Sequence, residues 1–139
     1  MDKERIDGFC KAFEPGEILI WQIPDTEKER MLFYQENLQD LLNRSICAVF
    51  AVSDHYAIEF MRFLQGKGIQ IPQDIQIIGF DDNMTGRESN PTLITFHQDA
   101  VQRAKTAIEC LEAMRDGVEC QAEIVRPVKL IKRESTRLL

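Results

Sequence analysis

The sequence predicts an α/β fold, a doubly wound parallel sheet flanked by helices. Three observations carry this. Helical and extended segments alternate along the chain. The extended runs at 45–52 (S-I-C-A-V-F-A-V) and 74–80 (D-I-Q-I-I-G-F) are rich enough in apolar residues to be covered on both faces, as parallel strands are. The connections are short, so successive strands are joined by helical crossovers in one sheet.

Each element has a local cause. Residues 3–13 place Ile6, Phe9, Cys10 and Phe13 on one helical face, and Glu14-Pro15-Gly16 stops that helix. The β-branched, apolar run 17–23 reads as a strand, after which Pro24 turns the chain and Asp25 or Thr26 caps a second helix. That helix runs to about Asn43 with Met31, Tyr34, Leu38, Leu41 and Leu42 on its buried stripe. After the strand at 45–52, Ser53-Asp54 opens a third helix whose inner face is Ala57, Phe60, Met61 and Leu64, ended by Gly66-Lys67-Gly68. The strand at 74–80 delivers Asp81-Asp82-Asn83 at its carboxyl end, 84–91 reads as a loop, and 93–96 is short and extended. A fourth helix over 99–115 is expected to bury Val101, Ala104, Ile108 and Leu111, and 124–131 forms the last strand. There is no internal repeat.

Composition narrows the function. The 139 residues amount to about one domain, and 44% apolar against 29% charged residues argues against disorder. No run approaches the ~18 uninterrupted apolar residues of a membrane span, and the N-terminus lacks a secretory core, so no membrane partner and a cytoplasmic address are expected. The net charge of −6 disfavours phosphate-backbone binding by this chain alone. Arg126, Lys129, Lys132, Arg133 and Arg137 read as a solvated surface. Four cysteines without C-x-x-C spacing, with Cys10, Cys47 and Cys110 on apolar phases, argue for free thiols rather than structural disulfides. His55 and His97 sit in no metal pattern, so no metal and no cofactor is expected.

Ligands of open α/β sheets bind beyond the carboxyl ends of the strands, where Ser53, Asp54, Asp81 and Asp82 fall. Such groups suit a hydroxyl-rich small molecule, and serve equally as caps and turn residues. Asp54, directly before a helix, reads first as a cap; Asp81, leading into a loop, suits either role. Catalytic signatures are absent: no G-x-S-x-G elbow, phosphate loop or dinucleotide fingerprint. A triad of Ser53, His97 and Asp81 can be drawn on paper only. The enzyme-side alternative is a Mg²⁺-dependent phospho-acceptor or phosphotransfer domain using Asp54, Asp81 and Asp82.

Five collinear motifs then stand out: R-x-x-G-F at 5–9; A-V-F-A-V-S-D followed by Ala57; G-I-Q-I-P-Q-D-I-Q-I-I-G-F-D-D at 68–82; P-T-L-I-T-F-H-Q at 91–98; and L-I-K-R-E-S-T at 130–136. Together they resemble the C-terminal part of the effector-binding domain of LacI/GalR-type transcriptional regulators, which is similar to periplasmic sugar-binding proteins. The resemblance implies a non-enzymatic, dimerising sensor of two subdomains with a small-molecule effector, such as a sugar, in the cleft between them. It implies ligand-binding roles for Arg5, Ser53 and Asp81. It further implies that residues 1–139 form mainly one subdomain. The first subdomain and a DNA-binding helix-turn-helix are expected to lie outside this chain, and DNA contact runs only through that missing N-terminal part. The helix at 99–115 would pack on the missing subdomain; without it, the helix is expected to pack on another copy of the chain, to swap, or to be poorly ordered. Four positions depart from the family pattern: Ile94 and Phe96 within the 91–98 motif, Glu59 where a small residue is usual on a dimer-forming helix, and Ala104 where a glycine is usual in the last helix.

Overall fold

The structure, a computed structural model, describes residues 2–12, 18–121 and 123–137. Among these residues the elements are α1 (Asp2–Ala12), α2 (Glu27–Asn43), β1 (Ala48–Phe50), α3 (Asp54–Gly66), β2 (Gln76–Asp81), α4 (Met84–Glu88), β3 (Ile94–His97), α5 (Ala100–Arg115) and β4 (Lys129–Ile131). The strands form one sheet in the order β1-β2-β3-β4. β1 and β3 flank β2 in parallel, with Val49 opposite Ile77 and Gly79 opposite Thr95. β4 runs antiparallel to β3. The parallel sheet read from the sequence therefore holds for three strands and ends in an antiparallel edge, a common finish to sheets of this class.

Side chains alternate across β2 and sort the helices onto two faces. Ile77 joins Ala57, Phe60, Met61 and Leu64 of α3, and Leu93, in the main core; Tyr34, Leu38 and Leu41 of α2 back α3 from outside. On the opposite face α1 stacks Phe9 on Phe50, ring centroids 5.1 Å apart, and lays Arg5 over Phe80. The doubly wound arrangement follows from this two-faced burial.

Helix ends are set by local chemistry. Thr26 caps α2, its Oγ1 accepting from the Glu29 amide at 3.4 Å. α2, α3 and α5 all close with the same pair of backbone bonds. In α3, for example, the amides of Gly68 and Ile69 donate to the carbonyls of Gln65 and Leu64. The motif needs a left-handed residue, supplied by Gly68 (φ 79°) and Gly117 (φ 73°), and in α2 by Ser45 (φ 54°).

Several sequence expectations need correction. The strand expected at 17–23 is absent over its described residues, 18–23. There the apolar pattern serves side-chain burial: Trp21 meets Phe33, Tyr34 and Phe60 in the core without entering a ladder. The expected loop at 84–91 contains helix α4, started by Asn83, whose Oδ1 accepts from the Gly86 amide at 2.9 Å. The last strand shortens to Lys129–Ile131 because β3 offers it only Thr95, Phe96 and His97 as partners. Leu42 is exposed rather than on the buried stripe, as is Cys47. In α5, Val101, Ile108 and Leu111 are each more than half exposed, and no residue of the helix is buried. This helix does not pack on its own sheet.

The chain end locks the strands together. The Ser135 hydroxyl donates to the Ile77 carbonyl (2.6 Å) and accepts from the Ile94 amide (2.8 Å), bridging β2 and β3 while fully buried. Ser135→Ala should leave that amide and carbonyl unsatisfied and cost about 2 kcal/mol. Urea unfolding of the variant beside the wild type measures this; an unchanged midpoint would refute the bridge's role.

Candidate functional site

β1 and β2 end side by side, and α1 crosses near both ends. The Arg5 guanidinium lies 4.0 Å from the centre of the Phe80 ring. From there it donates to the Val52 carbonyl (2.5 Å) and to Asp81 Oδ1 (3.2 Å). Arg5 is nearly buried, whereas the Asp81 side chain is 41% exposed. Gln98, one residue past β3, donates to the same Asp81 oxygen at 2.9 Å, and Arg103 of α5 donates to Gln98 Oε1 at 2.8 Å. Among the described residues Asp81 Oδ2 takes no protein hydrogen bond. Ser53, the half-buried residue after Val52, is the N-cap of α3 by position, yet its hydroxyl makes no cap bond. Arg5, Ser53 and Asp81 thus share one rim of the sheet, with Arg5 and Asp81 in direct contact.

The backbone that presents Asp81 is strained. Asp81 (φ 115°) and Asp82 (φ 54°) are consecutive non-glycine residues at positive φ, each an arrangement that costs about 1–3 kcal/mol and persists only where the surroundings enforce it. Asp82 is the enforcer. Its amide donates to Thr95 Oγ1 (3.2 Å), and its carboxylate is gripped by Arg133 and by Arg87 (2.8 Å), with His97 Nδ1 2.9 Å away. Burial pushes the Asp82 carboxyl up, but hydrogen bonds from Arg133 and Arg87 outweigh it and hold the group below the usual carboxylate range. Arg133 is thus a structural anchor, not part of a solvated basic run.

Asp54 is neither cap nor exposed ligand group. It is fully buried, accepting from Thr95 Oγ1 (2.5 Å) and the Asn83 amide (2.8 Å). Burial raises its carboxyl above the ordinary range, and those two bonds only partly offset this. The three carboxylates therefore serve three separate partner sets, and among the described residues no three metal-ligating side chains converge. Nor does the paper triad assemble, since His97 turns to Asp82 rather than Asp81.

The sequence alone does not point to Gln98, Arg103 or the aromatic floor of Phe50, Phe80 and Phe96 as site residues. Ring centroids of Phe80 and Phe96 are 5.6 Å apart, and those of Phe50 and Phe96 6.3 Å. The available signal for Gln98 was its place just beyond the third parallel strand, the same rule that marks Asp81. Trp21 belongs to the core on the far side.

This rim lies at the carboxyl ends of parallel strands wrapped by helices on both faces, the place where open α/β sheets bind ligands. The chain belongs to the periplasmic binding protein-like domain family, whose profile matches residues 14–136. Its relatives bear out the LacI-type resemblance. It is 31% identical over 149 residues to the HTH-type transcriptional repressor PurR of Glaesserella parasuis serovar 5, covering 99% of this chain and 43% of the relative. It is 27% identical over 140 residues to the HTH-type transcriptional regulator MalR of Clostridium butyricum, covering 94% and 40%. Among solved structures, a LacI family transcriptional regulator from Enterococcus faecalis V583 with bound ribose superposes with a TM-score of 0.82 at 27% identity, covering 99% of this chain and 50% of that one. A periplasmic binding protein/LacI transcriptional regulator from Alkaliphilus metalliredigens complexed with D-xylulofuranose gives 0.75 at 33% identity, covering 98% and 50%. The chain spans about half the length, or somewhat less, of the relatives it matches.

Proposed function

We propose that this chain is the effector-sensing, dimerising portion of a LacI-type transcriptional regulator, without catalysis of its own, working in the cytoplasm. Its effector is a small hydroxylated molecule of the sugar class, bound by Arg5, Ser53, Asp81 and Gln98. Operator binding is the task of a helix-turn-helix segment outside this chain. The observation that carries the reading is Asp81: a half-exposed carboxylate fixed through one oxygen, with the other open to ligand hydroxyls. The rings of Phe96 and of Phe80, one face of which carries Arg5, give the rim an apolar surface suited to the apolar face of a sugar. Two solved relatives hold a pentose and a pentulose. A ligand acts on such a sensor only through its different affinity for two subdomain arrangements, so half a clamp binds weakly.

In a regulator carrying both subdomains and the DNA-binding segment, Asp81→Ala should abolish the effector response and leave operator affinity unchanged. Gel-shift titration with and without effector measures both. A response that survives the substitution overturns the site.

A further inference from the structure

At the end of α5 the Gly117 turn reverses the chain, with the Val118 amide bonded to the Ala113 carbonyl at 2.8 Å. Residues 118–121 therefore run back along the last turns of the helix. This brings Cys120 to Cys110: the Cys120 thiol donates to the Cys110 carbonyl at 3.4 Å. Both side chains are half-buried, and α5 around them is otherwise exposed. A backbone reversal thus seats the Cys120 thiol on the backbone of Cys110, ten residues earlier, although their spacing matches no redox motif.

We propose that Cys110 and Cys120 are a reversible dithiol–disulfide pair, oxidised by a low-molecular-weight disulfide of the glutathione type. The thiolate of one cysteine attacks a sulfur of the oxidant, releasing one glutathione thiolate and leaving a mixed disulfide. The second cysteine's thiolate then attacks the protein sulfur of that bond and displaces the second glutathione thiolate. The two protons lost by the cysteines are taken up by the two glutathiones, so one protein disulfide forms as one oxidant disulfide is reduced. The new bond ties residues 118–121 to α5, restraining the helix whose first turns carry Arg103 next to Gln98. Burial and the neighbouring Cys110 thiol both push the Cys120 thiol up, which makes the exchange slow at neutral pH and sensitive to the strength of the oxidant.

The test incubates the full chain with oxidised glutathione and maps its cysteines by mass spectrometry after alkylation. The expected product links Cys110 to Cys120 without bound glutathione, whatever mixed disulfide forms at the exposed Cys47. Cys120→Ser should instead accumulate glutathione on Cys110, since the resolving thiol is gone, and reduction should restore both free thiols. Wild-type protein that retains glutathione stably on Cys110 or Cys120, leaves both thiols free while Cys47 reacts, or links either to Cys10 or Cys47 overturns the proposal.

Discussion

Removing Glu59 should destabilise the chain by about 3–5 kcal/mol, the cost of leaving a buried partner charge alone. Arg30 of α2 is 4% exposed and donates two bonds of 2.7 Å to the Glu59 carboxylate on α3; Tyr34 adds a third at 3.1 Å. Arg30 Nη1 donates to the Asp25 carbonyl at 2.5 Å and the Pro24 carbonyl at 3.3 Å. In Glu59→Ala this guanidinium keeps its burial and loses its counter-charge. A melting point lower by about 10–15 °C should follow for a chain of this length. Replacing both partners, as in Arg30→Met with Glu59→Leu, should recover most of the loss, because the pair's net worth is far below the cost of breaking it. A single variant that melts with the wild type would show that α2 and α3 do not depend on the pair.

The same pair gives a pH signature. Arg30's hydrogen bonds hold the Glu59 carboxyl below the usual carboxylate range, against an opposing push from burial. A carboxyl depressed in the folded state contributes stability that is present above its unfolded pKa, about 4.3. That contribution is lost as pH falls through the folded value. The gap in unfolding free energy between wild type and Glu59→Gln should therefore be constant near neutrality and shrink below about pH 4. The resemblance places Glu59 on a helix usual in dimer formation; here its side chain is 11% exposed and spent within the chain.

Gly79→Ala is the second large effect. A Cβ at this position would lie 2.3 Å from Asp54 Oδ1, 2.9 Å from Leu93 Cδ2 and 3.2 Å from the Asp54 Cα. None of these can yield cheaply. The Asp54 carboxylate is held by Thr95 and the Asn83 amide, Leu93 is fully buried, and the third contact is backbone. Overpacking at such a point costs about 1–3 kcal/mol, and the simultaneous loss of the Thr95 hydrogen bond adds about 1 kcal/mol. Gly79 therefore lets β2 lie against the first turn of α3, which sets where Asp81 emerges. Gly66→Ala, where a Cβ meets nothing within 4 Å, should leave stability almost unchanged. Equal melting points for the two variants would refute the close approach.

The parts of the fold that announce themselves in the sequence are those whose burial is local and periodic. α2 and α3 follow from apolar stripes, and β1 and β2 from apolar runs. The ends of α3 and α5 follow from Gly68 and Gly117. Residues 18–23 show the limit: an apolar, β-branched run satisfies side-chain burial as well as a ladder, and only tertiary pairing decides between them. The direction of β4 is equally non-local. At α5 the periodicity is sound but names no partner, and the helix keeps its apolar face exposed. Arg5, Ser53 and Asp81 were reachable through the motifs and the strand-end rule. The fixing of Asp81 by Gln98, and of Asp82 by Arg133 from the far end of the chain, depends on contacts between residues 17 and 51 positions apart. No pattern along the sequence encodes such a contact.

The most direct test of the proposed effector site is an amide chemical-shift titration of the chain with D-ribose and D-xylulose over a wide concentration range. Perturbations from at least one of them should concentrate at Arg5, Ser53, Phe80, Asp81 and Gln98, and disappear in Asp81→Asn. Shifts that centre on another surface, or that persist unchanged in the Asp81 variant, would contradict that site.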